Sequence, residues 1–480
     1  MKRLLLILAV AIGQAAILVS ATPAHAVPNS APTAAQFTAY LDKALESTGL
    51  PGVSVVVTQG DRVVHASGHG RDSTGAAVTE RTPMRVASLS KSFTAAAVMT
   101  LVEDGRIALD RPVAEQLPGF RMADGRARRI TVRHLLNQTS GLSDTTVDID
   151  ATQTAGSLTE YVARLSTGTL TTEPGTRYEY CNVNFDLAAR LVEVASGQRF
   201  HDYMRQHVFG PLGMTDSFIG DREVKPADGF NSLFGVWRSR PELPGFLNLG
   251  GSGGVVTTAA DLGKWLISQN GAGGAHLVSR EGLRTMHTPS PVRDYAMGWS
   301  EENLGGTPLL THSGNLFTYS AVQAIAPGTG YGFAVMTNGA GLQDDTYEVL
   351  GGLVALTRGE TPDSPGGGRQ RFELVLGLIA VVAAGLGTAA VLRSRRWSGK
   401  HGAKPAWRIA SRLAPALVPV LVLAAYPDLI SILMNGRRVT WAQLTYFPAP
   451  LTITLVIAAV AGAATIASRL IRLRSVRSAG

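Results

Sequence analysis

The sequence predicts an α+β domain followed by a helical membrane region, and three observations carry that reading. β-Rich runs stand near both ends of residues 27–358 with helical patterns between them, which suggests one antiparallel sheet built from both termini. Three long apolar stretches fill the end of the chain. Charge divides the two regions: residues 27–358 hold 27 Lys+Arg against 32 Asp+Glu, whereas 372–480 hold 13 against 2.

The elements follow in order. The N-terminus, MKRLLLILAVAIGQAAILVSATPAHA, places Lys2 and Arg3 before an apolar run at 4–19 and ends in Ala24-His-Ala26. This is the pattern of a secretory signal peptide, residues 1–26, cleaved after Ala26. PGVSVVVTQGDRVVHASGHG reads as two β-branched strands, 53–58 and 62–67, around a Gly60-Asp61 turn. SKSFTAAAVMTLVEDGRIALD is a helix stopped by Gly105, and ITVRHLLNQTSGL a shorter one running into a turn. TPLLTHSG, YSAVQAIAP and YGFAVMT supply three late strands, and LQDDTYEVLGGLVALTR is a closing helix. Cys181 is the only cysteine, so a large core and not a disulfide must stabilise an exported domain.

GETPDSPGGGRQR, 359–371, reads as a Gly/Pro-rich linker without core residues. Beyond it, 372–392, 413–433 and 448–467 are each long enough to cross a bilayer. Seven Lys/Arg lie between Arg393 and Arg412, and four more follow the third stretch, but only Arg437 and Arg438 separate the second from the third. The positive-inside rule then puts the first loop and the C-terminus in the cytoplasm and residues 27–358 outside, in a multi-pass protein of the cell membrane. The lipid bilayer is therefore an expected partner. Nucleic acid is not, because the excess basic charge flanks the spans and forms no patch on the folded domain. Asp428, near the outer end of the second stretch, can reach water and is read as structural.

Chemistry enters at RVASLSKSFTAAAVM. Ser88 and Lys91 stand three apart, on one face of a helix, at a first turn whose free N–H groups favour negative charge. A serine hydroxyl becomes a nucleophile when a neighbouring base takes its proton. Tyr180-Cys-Asn182 lies between a Pro174-Gly175 turn and an amphipathic helix, so its Tyr and Asn can both face one cleft. His312-Ser-Gly314 ends a strand, where glycine would let a substrate lie against the backbone. Singly, each has a plain structural reading: a capping serine, an exposed tyrosine, a capping Asn, a strand-end histidine.

The ordered set Ser-x-x-Lys, Tyr-x-Asn and [Lys/His]-x-Gly before a C-terminal helix resembles the serine β-lactamase and penicillin-binding protein superfamily. With HLLNQTSGL and GGVVTTAADLGKWL, it is similar to the class C β-lactamase-related branch, which includes CubicO-type hydrolases, D-Ala-D-Ala carboxypeptidases and esterases. The resemblance covers most of 33–358 and not the tail. It implies that Ser88 attacks an amide or ester carbonyl while Lys91 and Tyr180 share its proton. It further implies that Asn182 holds the substrate amide and that the backbone N–H groups of Ser88 and Asn315 bind the oxyanion. His312 would contact a substrate carboxylate or a proton network, although class C β-lactamases have lysine there. A small-molecule or peptide substrate, cell-wall derived in one version, is implied, with no metal and no cofactor.

Two competitors need answers. Gly250-Gly-Ser252-Gly-Gly254 fits a G-x-S-x-G elbow, but Pro244-Gly245 precedes it and β-branched residues follow, so a flexible turn is the better reading. A membrane-tethered penicillin-binding sensor would keep acylation at Ser88 and deacylate slowly, yet only loops and an Arg-rich tail face the cytoplasm.

Overall fold

The computed structural model describes residues 31–221, 223–434 and 436–478, so the expected signal peptide lies outside the described residues. Helix α1, Ala34–Thr48, starts at Thr33, whose side chain accepts from the Gln36 amide while the Gln36 side chain accepts from the Thr33 amide. It leads into strands β1 (Gly52–Gln59) and β2 (Arg62–Gly70), joined at Gly60 in the left-handed region. Two short strands follow at a distance, β3 (Met84–Arg85) and β4 (Phe218–Ile219), then a hairpin of β5 (Gly229–Leu233) and β6 (Val236–Arg240), and β7 (Val255–Thr257). The late strands are β8 (Ser300–Leu304), β9 (Thr307–Asn315), β10 (Ser320–Ala326), β11 (Tyr331–Thr337) and β12 (Gly339–Ala340).

The main sheet has the order β2-β1-β11-β10-β9-β8 and is antiparallel throughout. Both ends of the domain thus meet at its centre, with Val55 opposite Val335. Its middle strands are buried on both faces, which explains why β1 reads as a nearly unbroken apolar run. The period of two still sorts them. Val55 and Val57 join Phe37, Leu41, Leu350 and Leu353 of α1 and the closing helix Thr346–Thr357, whereas Val56 joins the larger core of the helical region. On the exposed edge, β8 presents Glu301 and Glu302, which discourage further strand pairing.

Between the early and late strands lies the helical region. Helix α2, Ser90–Glu103, is buried along most of its length, and its three consecutive alanines let neighbours close on every side. Helix α3, Val183–Ser196, packs beside it, and α4, Ala259–Gln269, covers the sheet with Trp265 stacked on Phe93. Strands β3, β7 and β4 make one small sheet, and β12, β5 and β6 another.

Three helices of the tail are long and apolar enough to cross a membrane. They are α5 (Gly368–Leu392), α6 (Ala406–Ala424) and α7 (Ala449–Ser478). Three boundaries differ from expectation, the simplest being α7, which runs past 467 to Ser478. The second stretch starts earlier and stops at Ala425, because Pro427 opens a separate helix, Tyr426–Leu433, where its missing N–H costs nothing. The expected linker ends early too, since α5 begins at Gly368 and Arg369 is buried. Arg369 donates to Asp345 Oδ2 (3.0 Å), Ser232 Oγ (2.5 Å) and the Thr48 carbonyl (2.6 Å), and its guanidinium lies over Trp237. Glu373, one turn on, accepts from Ser232 Oγ and the Gly235 amide.

Candidate active site

Ser88 sits on a 3₁₀ turn, Ala87–Leu89, that runs directly into α2. Ala87 before it has φ 49°, a left-handed conformation that a Cβ-bearing residue enters only at a cost. The turn is held by Ser90, whose Oγ donates to the Ala87 carbonyl (2.6 Å) and accepts from the Val255 amide (2.9 Å). Ser90 is therefore a structural serine. Against the turn lies the end of β9, and here Gly314 has a different use from the one expected. A Cβ at Gly314 would run into the Val86 carbonyl and come within 3.0 Å of the Ser88 nitrogen, so glycine lets the strand approach the serine itself. Asn315 follows it, exposed at the strand end and paired with Ser320.

Two side chains converge on Ser88. Lys91 Nζ lies 2.9 Å from Ser88 Oγ, and so does the Tyr180 hydroxyl. Lys91 is fully buried, donates also to the Ser252 carbonyl (2.7 Å), and lies 4.9 Å from the Tyr180 ring centre. Burial pushes its ammonium below the ordinary lysine range, because desolvation penalises the charged form; the Tyr180 and Asp186 sides oppose this in part.

Asn182 occupies the residue before α3 without capping it, and its buried Oδ1 has no hydrogen-bond partner among the described residues. A polar atom left unpaired in this way is available to a substrate amide. His312 is a different case. Its Nδ1 bonds the Ser313 carbonyl (2.7 Å), so Nε2 is the acceptor and takes the Tyr295 hydroxyl (3.2 Å). Burial first, and the Lys91 charge second, push its pKa down to about 3. The ring is neutral at working pH. It joins a proton network with Tyr295 and cannot stand in for the lysine cation of class C enzymes.

Three residues escaped sequence reasoning. Asp186, buried in α3, accepts from the Ser252 amide (3.0 Å) and Ser252 Oγ (3.1 Å), and so fixes the carbonyl to which Lys91 donates. Burial pushes its carboxyl up to about 6. Side chains at Gly250 and Gly251 would collide with Asp186 Oδ1 and the Phe185 carbonyl, which accounts for the glycine run there. Residues 250–254 form a turn with Ser252 wholly buried, as the non-elbow reading requires. Gln138, at φ 58°, accepts from the Cys181 amide (3.0 Å) and Asn184 Nδ2 (2.6 Å) through Oε1, fastening the Tyr180 loop. Tyr295 is the third. A buried acid inside an apolar helix was the one signal available, and it pointed to Asp186 alone. Cys181 is buried with its thiol pushed well above the usual range by desolvation, hence inert.

The site can activate a hydroxyl at Ser88, and among the described residues no group of three His, Cys, Asp or Glu side chains converges on a metal position. The family model described as Beta-lactamase matches residues 37–355. Penicillin-binding protein 4 of Amycolatopsis lactamdurans is 31% identical over 316 residues, covering 60% of this chain and 81% of that protein. Among solved structures, the octameric penicillin-binding protein homologue from Pyrococcus abyssi superposes with a TM-score of 0.59 at 23% identity, over 72% of this chain and 81% of that one. The Beta-Lactamase/D-Alanine Carboxypeptidase from Pseudomonas syringae gives 0.57 at 18%, over 68% and 98%. The two structures establish the fold, and the matched span establishes the lineage: the chain belongs to the beta-lactamase family, a family of serine hydrolases.

Proposed function

We propose that the chain is a membrane-anchored, extracytoplasmic hydrolase that cleaves amides or esters through an acyl-enzyme on Ser88, as a D-alanyl-D-alanine peptidase or an esterase. One observation carries this reading: a lysine and a tyrosine each reach Ser88 Oγ at 2.9 Å, and the lysine is buried where its charge is disfavoured. With Lys91 neutral, the same contact runs the other way, the Oγ proton passing to the Nζ lone pair as Oγ attacks. General-base help of this kind contributes roughly 10²–10⁴-fold. Tyr180 donates to Oγ in the resting site and passes a proton on to the leaving group. The amides of Ser88 and Asn315 take the oxyanion, each donor contributing on the order of 10²–10³-fold. Asn182 Oδ1 accepts from the substrate amide, and water then releases the acyl group. Lys91 keeps its place through the Ser252 carbonyl, so Asp186 is a positioning residue two bonds removed from the chemistry.

The relatives, a penicillin-binding protein and a beta-lactamase/D-alanine carboxypeptidase, support a peptide-like substrate with cell-wall chemistry. The neutral His312 argues against efficient β-lactam turnover. The anchored arrangement is supported by the loop between α6 and α7, which touches the catalytic domain: Arg438 pairs with Asp150 at 2.9 Å, and the Tyr446 hydroxyl donates to the Pro241 carbonyl. These contacts fit a domain and loop on one side of the bilayer, the arrangement that two crossings between them, α5 and α6, would produce.

The test is a fluorophosphonate or penicillin label on the full chain, followed by turnover of D-Ala-D-Ala peptides, short acyl esters and nitrocefin. Ser88→Ala should abolish labelling while Ser90→Ala and Ser252→Ala retain it. Product release that stops after one equivalent would identify a sensor and overturn the hydrolase reading.

A further inference from the structure

The loop between α6 and α7 brings a second arginine to the site. Arg437 stands beside Tyr180, its guanidinium carbon 5.5 Å from the ring centre of the residue that touches Ser88. Gly436 before it lies against Thr145, where a Cβ would meet the threonine methyl at 3.1 Å. On the far side the loop is fastened by Tyr446, which packs edge-on against Phe317, two residues past Asn315, and lies under the Arg240 guanidinium. One tail loop thus touches the domain at the Tyr180 loop and at the end of β9, the two elements that flank Ser88.

The guanidinium itself is incompletely used. Its ion pair is a contact from Nε to Asp144 Oδ2 at 3.8 Å, too long for a hydrogen bond, and both Nη groups lack a partner among the described residues. A planar fork of unpaired donors matches a carboxylate or another flat anion. Among the described groups nearest Ser88, neither of the other basic side chains offers such a fork: His312 is neutral and committed to Tyr295, and Lys91 is fully buried with Ser88 and Ser252 as its partners. Asp144 steadies the arginine from behind without satisfying it.

We propose that Arg437, delivered by the membrane region, is a specificity-determining residue of the Ser88 site that binds an anionic group on the substrate. This rests on Ser88 being the nucleophile. The catalytic domain therefore gains its anion-binding cation from a part of the chain outside the family's own span, and the choice between anionic and neutral substrates depends on the tail. The charge acts inward as well, since it is felt at Lys91, where it helps to disfavour the ammonium form.

The experiment uses the full chain in detergent micelles and two fluorophosphonates, one ending in a carboxylate and the other in its methyl ester. The ratio of their labelling rates is read at low salt. Native protein should prefer the carboxylate. Arg437→Ala and Arg437→Gln should lower that ratio by roughly ten-fold or more, the scale of a lost charge-assisted hydrogen bond, and Arg437→Lys should restore part of it. Arg438→Ala, which removes only an exposed pair with Asp150, should leave the ratio as in the native protein. Labelling with an unchanged ratio in Arg437→Ala would overturn the proposal while leaving the nucleophile intact. Faster labelling by both probes would overturn it in favour of a loop that merely blocks the cleft. Absence of Ser88 labelling by either probe would sink the hydrolase reading and this inference with it.

Discussion

His312 shows how much a buried ring can report. In the unfolded chain it titrates near ~6.5, whereas burial and Lys91 push it down to about 3 in the native protein. Between those values the unfolded state binds a proton that the native state refuses. The associated stability is therefore fully present above about pH 6.5 and is lost as pH falls towards 3. Lowering the pH from 7 to 4 should cost on the order of 3 kcal/mol through this one group. His312→Gln should accordingly narrow the difference between thermal midpoints at pH 7 and pH 4. An equal drop in both proteins would show that the ring is already protonated or exposed. At this scale the sequence was legible where spacing carries the chemistry: Ser88 and Lys91 share a face because they stand three apart, and a helix turn brings them to 2.9 Å. Tyr295 and Gln138 were not legible, because their partners lie 17 and 43 residues away and no local pattern joins them; Asp186 offered only its place in an apolar helix, with its partner 66 residues away.

Among the elements, β1 and β2 could be read directly, as β-branched runs around a turn, and so could the three late strands. Their order in the sheet rested on the meeting of the two termini, which the pairing of β1 with β11 bears out. The start of α5 was hidden for a physical reason. Arg369 and Glu373 stand beside a Gly/Pro-rich stretch, where charged residues are normally solvated, and their partners Ser232, Trp237 and Asp345 come from β5, β6 and the start of the closing helix. The break at Ala425 was hidden too, because its apolar residues continue across Pro427. A consequence can be measured. A chain of residues 27–358 leaves Asp345 buried without its counter-ion, whereas 27–376 keeps the pair. Breaking such a pair costs roughly 3–5 kcal/mol, so the longer chain should unfold at the higher temperature. Identical midpoints would show that the first turns of α5 contribute nothing to the domain.

For the molecule as a whole, the proposed topology predicts that a tag after Gly480 is shielded from protease added to intact cells. The domain before Arg358 should be digested or released under the same conditions. Labelling of the C-terminal tag from outside would refute the three-span arrangement. The buried ion pair at the base of α5 then has a mechanical meaning. A catalytic unit on a Gly/Pro-rich tether would sweep a volume, meeting targets at any distance the tether allows. Here the lever is clamped, because Arg369 and Glu373 belong to the first turns of α5 and to the core of the domain together. With α5 in the bilayer as proposed, the serine would work at one altitude above the lipid and in one orientation. On the proposed topology such a protein would behave as a gauge as well as a catalyst, reaching bonds at a set distance from the membrane surface.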